Sequence, residues 1–357
     1  MTDPFRPLSF RSGARMKNRL ALAPLTNMQS HEDGHLSDDE YRWLTMRAEG
    51  GFGLTMTCAA HVQAAGKGFS GQLGCFSDDH LPGLTRLAAG IRAHDSLAVL
   101  QLHHAGMRSP ADLIGGRPVC PSAHEETGAR ALTTAEVDRL AEDFVAAAER
   151  AERAGFDGVE LHGAHGYLLC QFLSPVINRR ADRYGGSPEN RARIVLEIIR
   201  GIRERCRPDF LLGIRLSPER FDARLPEIRD LAAQLMHDGA VDFIDLSLWN
   251  VFKEPEDPEF RGRTLMSLFT ELDRGGVRLG AAGRLHRPAD VRACLEAGTD
   301  FVLLGRAAIL HHDYPARLQA DPAFEPVATP IGAGHLRAEG LAEAFVGYMS
   351  RWKGFVE

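Results

Sequence analysis

No stretch of the 357-residue chain is apolar for long enough to cross a membrane, and the opening "MTDPFRPLSF" lacks the charged-then-apolar pattern of a secretory signal. No run of Lys or Arg could follow a phosphate backbone, and a net charge of -6 works against one, so nucleic acid is not an expected partner. The six cysteines, at 58, 75, 120, 170, 206 and 294, contain no CxxC pair. Zinc-finger and cysteine-ligated iron–sulfur frameworks need clustered thiols, so both are excluded and the cysteines read as reduced. These absences predict a cytoplasmic protein that handles a small molecule.

What is present is ordinary globular composition: 44% hydrophobic, 25% charged, mean hydropathy -0.21. Eight short apolar runs read as strands, at 18–25, 52–59, 97–104, 158–164, 210–217, 243–250, 277–283 and 300–306. Their near-continuous apolar character suits a parallel sheet buried on both faces. Helix starts stand between them: Ser37 with Glu40 and Thr133 with Glu136 match the capping box, and Ser187-Pro188 supplies an N-cap and first-turn proline. "AGFDGVEL" (154–161), "DGAVDFIDL" (238–246) and "AGTDFVLL" (297–304) repeat one junction of glycine, aspartate and strand, so a single βα unit recurs. The pattern predicts a (β/α)₈ TIM barrel over 1–320, with 321–357 as an extension packing on the barrel or on a neighbouring subunit. Within it, 335–353 reads as one helix burying Leu336, Leu341, Phe345 and Met349. A doubly wound sheet is the competitor. Its glycine fingerprint appears only in "GKGFSG" (66–71), with no strand before it and no helix after, so that stretch reads as a loop. The long connections 105–133 and 251–263 follow strands three and six, on the face where barrel sites lie.

At that mouth the strand ends place Thr26, Cys58, Gln101, His103, His104, His162, His165, Arg215, Trp249, Asn250, Arg284 and Arg306. His162 and His165, with Tyr167 beyond and only small residues between, form the densest cluster. A metal would need further ligands that are not nearby in sequence, so none is expected. Imidazoles donate well to a carbonyl, nitro or phenolate oxygen, and a phenol with a pKa of about 10 holds a proton at neutral pH. Gly283-Arg284 and Gly305-Arg306, ending strands seven and eight, suggest a bound phosphate. Arg215, in a buried strand, needs an anionic partner: a structural carboxylate or a ligand. Gln101 offers a donor and an acceptor, which suits the uracil-like edge of a flavin.

The stretches "NRLALAPLT" (18–26), "LQLHHAG" (100–106), "GFDGVELHGAHGYLLCQFLSP" (155–175), "RYGGSPENR" (183–191), "GIRLSP" (213–218) and "LLGR" (303–306) resemble the old yellow enzymes, FMN-dependent ene-reductases on a (β/α)₈ barrel. The resemblance spans about 5 to 318 and implies the following. FMN is bound tightly and non-covalently, and NADPH or NADH reduces it. Pro24, Leu25 and Thr26 line the flavin, with Cys58 among the cofactor-lining residues. Gln101 holds its pyrimidine edge and Arg215 sits beside N1 and O2. Gly283, Arg284, Gly305 and Arg306 grip the phosphate. His162 and His165 bind the substrate oxygen, hydride reaches the β-carbon of an activated alkene (enone, enal, nitroalkene or maleimide) or a quinone, and Tyr167 donates the proton. One branch of the family carries cysteine where Thr26 stands and tyrosine where Met28 stands, which bears on flavin potential and pocket shape. An iron–sulfur extension found in some relatives is not expected, since no cysteine follows 294. Arg351 or Trp352 is expected to touch a neighbouring subunit if the chain forms a homo-oligomer. Two other functions compete: a sugar-phosphate isomerase using the arginines, and a non-catalytic flavin-binding redox sensor.

Overall fold

In the computed structural model, which describes residues 2–357, all eight strands are present. They are β1 (Leu20–Leu22), β2 (Leu54–His61), β3 (Leu97–His103), β4 (Gly158–Gly163), β5 (Leu211–Leu216), β6 (Phe243–Ser247), β7 (Arg278–Ala282) and β8 (Phe301–Leu304). Each pairs in parallel with its neighbours in sequence, and β8 pairs with β1, so the sheet closes into a barrel. After the strands come α1 (Asp38–Glu49), α2 (Leu81–Arg92), α3 (Thr134–Arg153), α4 (Pro188–Arg205), α5 (Leu225–Asp238), α6 (Ser267–Thr270), α7 (Pro288–Glu296) and α8 (Arg306–Leu310). The fold is a (β/α)₈ barrel, and the 66–71 segment is loop. None of its helices is long and apolar enough to cross a membrane, among the described residues.

Alternate side chains of each strand enter the barrel. Leu54, Met56, Val99, Leu211, Phe243, Phe301 and Leu303 fill its interior. A short hairpin, Leu8–Ser9 paired with Arg15–Met16, brings Phe10 against Phe243 at 5.9 Å and Phe301 at 6.3 Å between ring centres. That plug seals the end of the barrel where the strands begin. Gly213 and Gly280 make room for the two rings: a Cβ on Gly213 would stand 2.1 Å from the Phe243 ring, and one on Gly280 2.5 Å from Phe301.

The repeated junction has a physical purpose. Gly155, Gly239 and Gly298 take left-handed φ values of +88°, +57° and +104°, which turn the chain out of its helix. The aspartate that follows then accepts a backbone N–H at the start of the preceding strand: Asp157 from Ala98 (2.8 Å), Asp242 from Leu212 (2.9 Å) and Asp300 from Leu279 (2.9 Å). Each junction thereby pins one strand to the next.

Thr133 and Glu136 form the full capping box. At Ser37 only half of it forms. The Ser37 hydroxyl accepts from the Glu40 N–H, but the Glu40 carboxylate is buried and accepts from Asn27 and Ser30 instead. The C-terminal segment also differs from expectation. Leu336, Leu341, Phe345 and Met349 are all buried, yet Gly340, at φ +85°, splits the segment into α9 (Ala333–Ala338) and α10 (Glu343–Ser350). Phe345 docks on Trp43 of α1 at 5.4 Å.

Gly213→Ala tests the interior packing. The added methyl has no room beside Phe243, so the urea midpoint should fall by the equivalent of about 1–3 kcal/mol. An unchanged midpoint would contradict the packing described.

Candidate functional site

The C-terminal strand ends open onto a cavity of about 430 Å³, of the size that takes a cofactor or small substrate. Pro24, Leu25 and Thr26 reach it beyond β1, Ala59 from β2, Gln101 from β3, His162 from β4 with His165 and Tyr167 just after, and Arg215 from β5. Ser247 and Trp249 enter from β6, Gly283 and Arg284 from β7, and Gly305 and Arg306 from β8. Twelve of the thirteen residues to which the resemblance gives a role therefore line one cavity.

Cys58 does not. The register of β2 against β3 slips between Met56 and Ala59, a β-bulge. A bulge reverses the alternation, so Ala59 faces the cavity and Cys58 turns outward against the helices. Its thiol is buried beside Glu40, and burial pushes its pKa well up, so it is an inert core residue. His103, His104 and Asn250, also expected at the mouth, do not line the cavity either. His104 accepts the Gly106 N–H on Nδ1 (3.0 Å) and faces Gln63 with Nε2. Asn250 accepts the Phe252 N–H on its own side-chain oxygen.

The histidine–phenol cluster is tightly stacked. The His162 ring lies 5.0 Å from both His165 and Tyr167, and His103 lies 4.4 Å from Tyr167, all edge-on. Burial drives the pKa of His103, His162 and His165 well below the ordinary histidine value, so the three imidazoles are neutral at neutral pH. His162 Nδ1 accepts the Ala164 N–H at 3.4 Å, which leaves its proton on Nε2. His165 holds a left-handed φ of 60°, with Nε2 against the Ser247 hydroxyl at 2.7 Å. Trp249 and Arg284 share that strained backbone region, at φ 58° and 52°. Tyr167 is protonated, since burial raises its pKa.

Beneath the cavity lies a buried polar layer. Gln101 Nε2 donates to Glu160 (2.7 Å), and Arg215 Nε lies 3.0 Å from Asp245. Desolvation raises the pKa of both carboxyls. The Arg215–Asp245 contact is misaligned, so Arg215 Nε has no hydrogen-bond acceptor although the side chain is buried. Nη1 of Arg215 donates to the Pro24 carbonyl (3.4 Å), and the buried Nε left without an acceptor fits a cofactor edge that accepts hydrogen bonds. At the other end, Arg284 and Arg306 lie close enough that each one's charge opposes the other's, and Arg306 is half-buried. Among the described residues neither has a carboxylate within ion-pair distance, so the pair fits a phosphate. Among the described residues, no cluster of three or more His, Cys, Asp or Glu is arranged to hold a metal.

Sequence reasoning missed Arg108, Ser247, Phe221, Tyr348 and Trp352, all of which line the cavity. Ser247 was readable, because it shares the inward parity of Phe243 and Asp245 on β6. The spacing of Phe345, Tyr348, Met349 and Trp352 marks one face of α10 and its end. Arg108 and Phe221 sit in loops where no periodicity applies.

Residues 3–323 match the model of the NADH:flavin oxidoreductase / NADH oxidase family. The chain belongs to this family. It is 36% identical over 330 residues to the "Probable NADH-dependent flavin oxidoreductase YqiG" of Bacillus subtilis (strain 168), covering 88% of this chain and 87% of that one. The old yellow enzyme homologue of Zymomonas mobilis superposes with a TM-score of 0.81 at 25% identity, covering 97% and 99%. A 2-naphthoyl-CoA reductase in complex with 2-naphthoyl-CoA gives 0.80 at 26%, covering 89% of this chain, which spans only about half (52%) of that longer one. The protein is thus an NAD(P)H:flavin oxidoreductase of the old yellow enzyme type, with FMN as cofactor. Arg215 Nε, without a hydrogen-bond acceptor, and the unpaired Arg284 and Arg306 are consistent with that group.

The depressed histidine pKa values predict a pH effect on stability. The His104 pKa is pushed down to about 3, whereas in the unfolded chain it is near 6.5. Below about 6.5 the unfolded state binds a proton that the folded state refuses, so stability is lost as pH falls. From pH 7 to 5, wild type should lose about 2 kcal/mol relative to His104→Gln, measured by urea unfolding. Parallel pH profiles would show that His104 titrates normally.

Proposed function

We propose that the protein reduces activated alkenes or quinones. NAD(P)H reduces FMN, which when bound supplies the hydride that goes to the β-carbon of the substrate. The observation that carries this reading is one cavity wall on which two neutral imidazole donors and a protonated phenol are in ring contact. His162 Nε2–H donates to the activating oxygen, where negative charge gathers as hydride arrives. His165 joins it through Nδ1–H when Ser247 donates its hydroxyl proton to Nε2. Tyr167 gives its proton to the α-carbon.

Around them, Pro24, Leu25 and Thr26 line the flavin and Gln101 meets its pyrimidine edge. Arg215 faces the side where the reduced cofactor carries charge, and Arg284 and Arg306, with Gly283 and Gly305, hold the phosphate. Trp249 and Phe221 shape the mouth and help to exclude water. The cluster of imidazoles and phenol favours catalysis over a silent flavin sensor, and the family match favours a flavin over a sugar phosphate.

The test is anaerobic stopped-flow on Tyr167→Phe, reading flavin absorbance in each half-reaction. Flavin reduction by NADPH should change less than threefold, while reoxidation by an enone should slow roughly 100-fold or more. Equal losses in both steps would contradict Tyr167 as the proton donor.

A further inference from the structure

Among the described residues, Arg108 is the cavity-lining cation that the reading above leaves without a task. It ends the short turn Gly106–Arg108, and its guanidinium donates to the backbone oxygen of His165. Its Cζ lies 4.6 Å from the centre of the Tyr167 ring. Among the described residues no carboxylate lies within ion-pair distance, so its charge is not cancelled. Around the same ring stand His103 from β3 at 4.4 Å, His162 from β4 at 5.0 Å, and Tyr348 of α10 on the cavity wall. The two imidazoles are neutral and Tyr348 is a phenol. Arg108 is therefore the permanent charge against Tyr167.

A proton donor must leave a tolerable conjugate base. When the Tyr167 O–H bond breaks, the proton goes to the substrate α-carbon, whose electron pair forms the new C–H bond. The O–H pair stays on the phenolate oxygen, and water later returns the proton. A buried phenolate is costly without a cation. We propose that Arg108 stabilises the Tyr167 phenolate and thereby makes the phenol a competent donor. This rests on Tyr167 being the proton donor. Arg108 acts through Tyr167 and is a positioning residue. The direction agrees with its field, which opposes the rise that burial imposes on Tyr167. One charge about 5 Å from the ring, discounted for the exposure of Arg108, is worth about tenfold in ionisation.

The test compares Arg108→Gln with Arg108→Lys as FMN-loaded enzymes. Gln keeps an N–H for the His165 carbonyl and loses the charge, whereas Lys keeps the charge. Two readouts are taken: the alkene step relative to flavin reduction across pH, and the phenol titration of Tyr167 by ultraviolet difference against Tyr167→Phe. In Arg108→Gln the alkene step should slow about tenfold relative to flavin reduction, and the Tyr167 titration should move up by about one pH unit. Lys should restore most of both. If Gln and Lys behave alike, or the titration stays put in Gln, the role of Arg108 is overturned on its own. If the titration moves but Tyr167→Phe leaves the alkene step intact, the donor reading of Tyr167 falls, and with it any catalytic use of the coupling.

Discussion

The site depends on the alternation of side chains along strands that close on themselves. A strand has a period of two, so every second residue of a closed barrel points inward whatever its chemistry. At the strand starts those positions are filled by Leu54, Leu211, Phe243 and Phe301. At the strand ends the same parity delivers Gln101, His162, Arg215 and Ser247 into one cavity. Moving any strand by one residue would trade these for helix-facing core. The aspartate junctions that tie Ala98, Leu212 and Leu279 hold the register against such a slip.

Burial then sets the chemistry. Imidazoles that would be partly charged in water are neutral here, and the phenol keeps its proton. Neutral donors suit an oxygen that becomes negative during reaction, because they do not trap the ground state as an ion pair would. Fixed positive charge is confined to arginines: Arg215 below, Arg284 and Arg306 together on one wall, and Arg108 over Tyr167. Among the described residues Arg108, Arg284 and Arg306 have no carboxylate within ion-pair distance, and Arg215 meets Asp245 only in a misaligned contact. The protein thus spends stability on a field directed at ligands.

Much of this was legible in the sequence. The eight strands, the glycine–aspartate junctions and the "LHGAHGY" cluster carry local signals that tertiary packing does not override. Family resemblance supplied the flavin roles that composition could not. Three of the departures from expectation have identifiable reasons. Cys58 was assigned inward because a bulge leaves no mark in an apolar strand. The apolar spacing of Leu336, Leu341, Phe345 and Met349 runs unbroken across Gly340, whose left-handed φ ends one helix before the next begins. Glu40 matched a capping box, but the buried hydroxyl and amide of Ser30 and Asn27 competed better for its carboxylate. Arg108 went unnoticed because loop geometry, unlike strand parity, cannot be counted off.

The central claim is that hydride and proton reach the substrate from two different sources on two neighbouring carbons. The direct measurement is reduction of a cyclic enone by the FMN-loaded enzyme and NADPH in deuterated water, with the product analysed by NMR. The account predicts one solvent deuterium at the α-carbon and none at the β-carbon. Deuterium at the β-carbon, or a protein that turns over no alkene while its flavin is reduced, would contradict it.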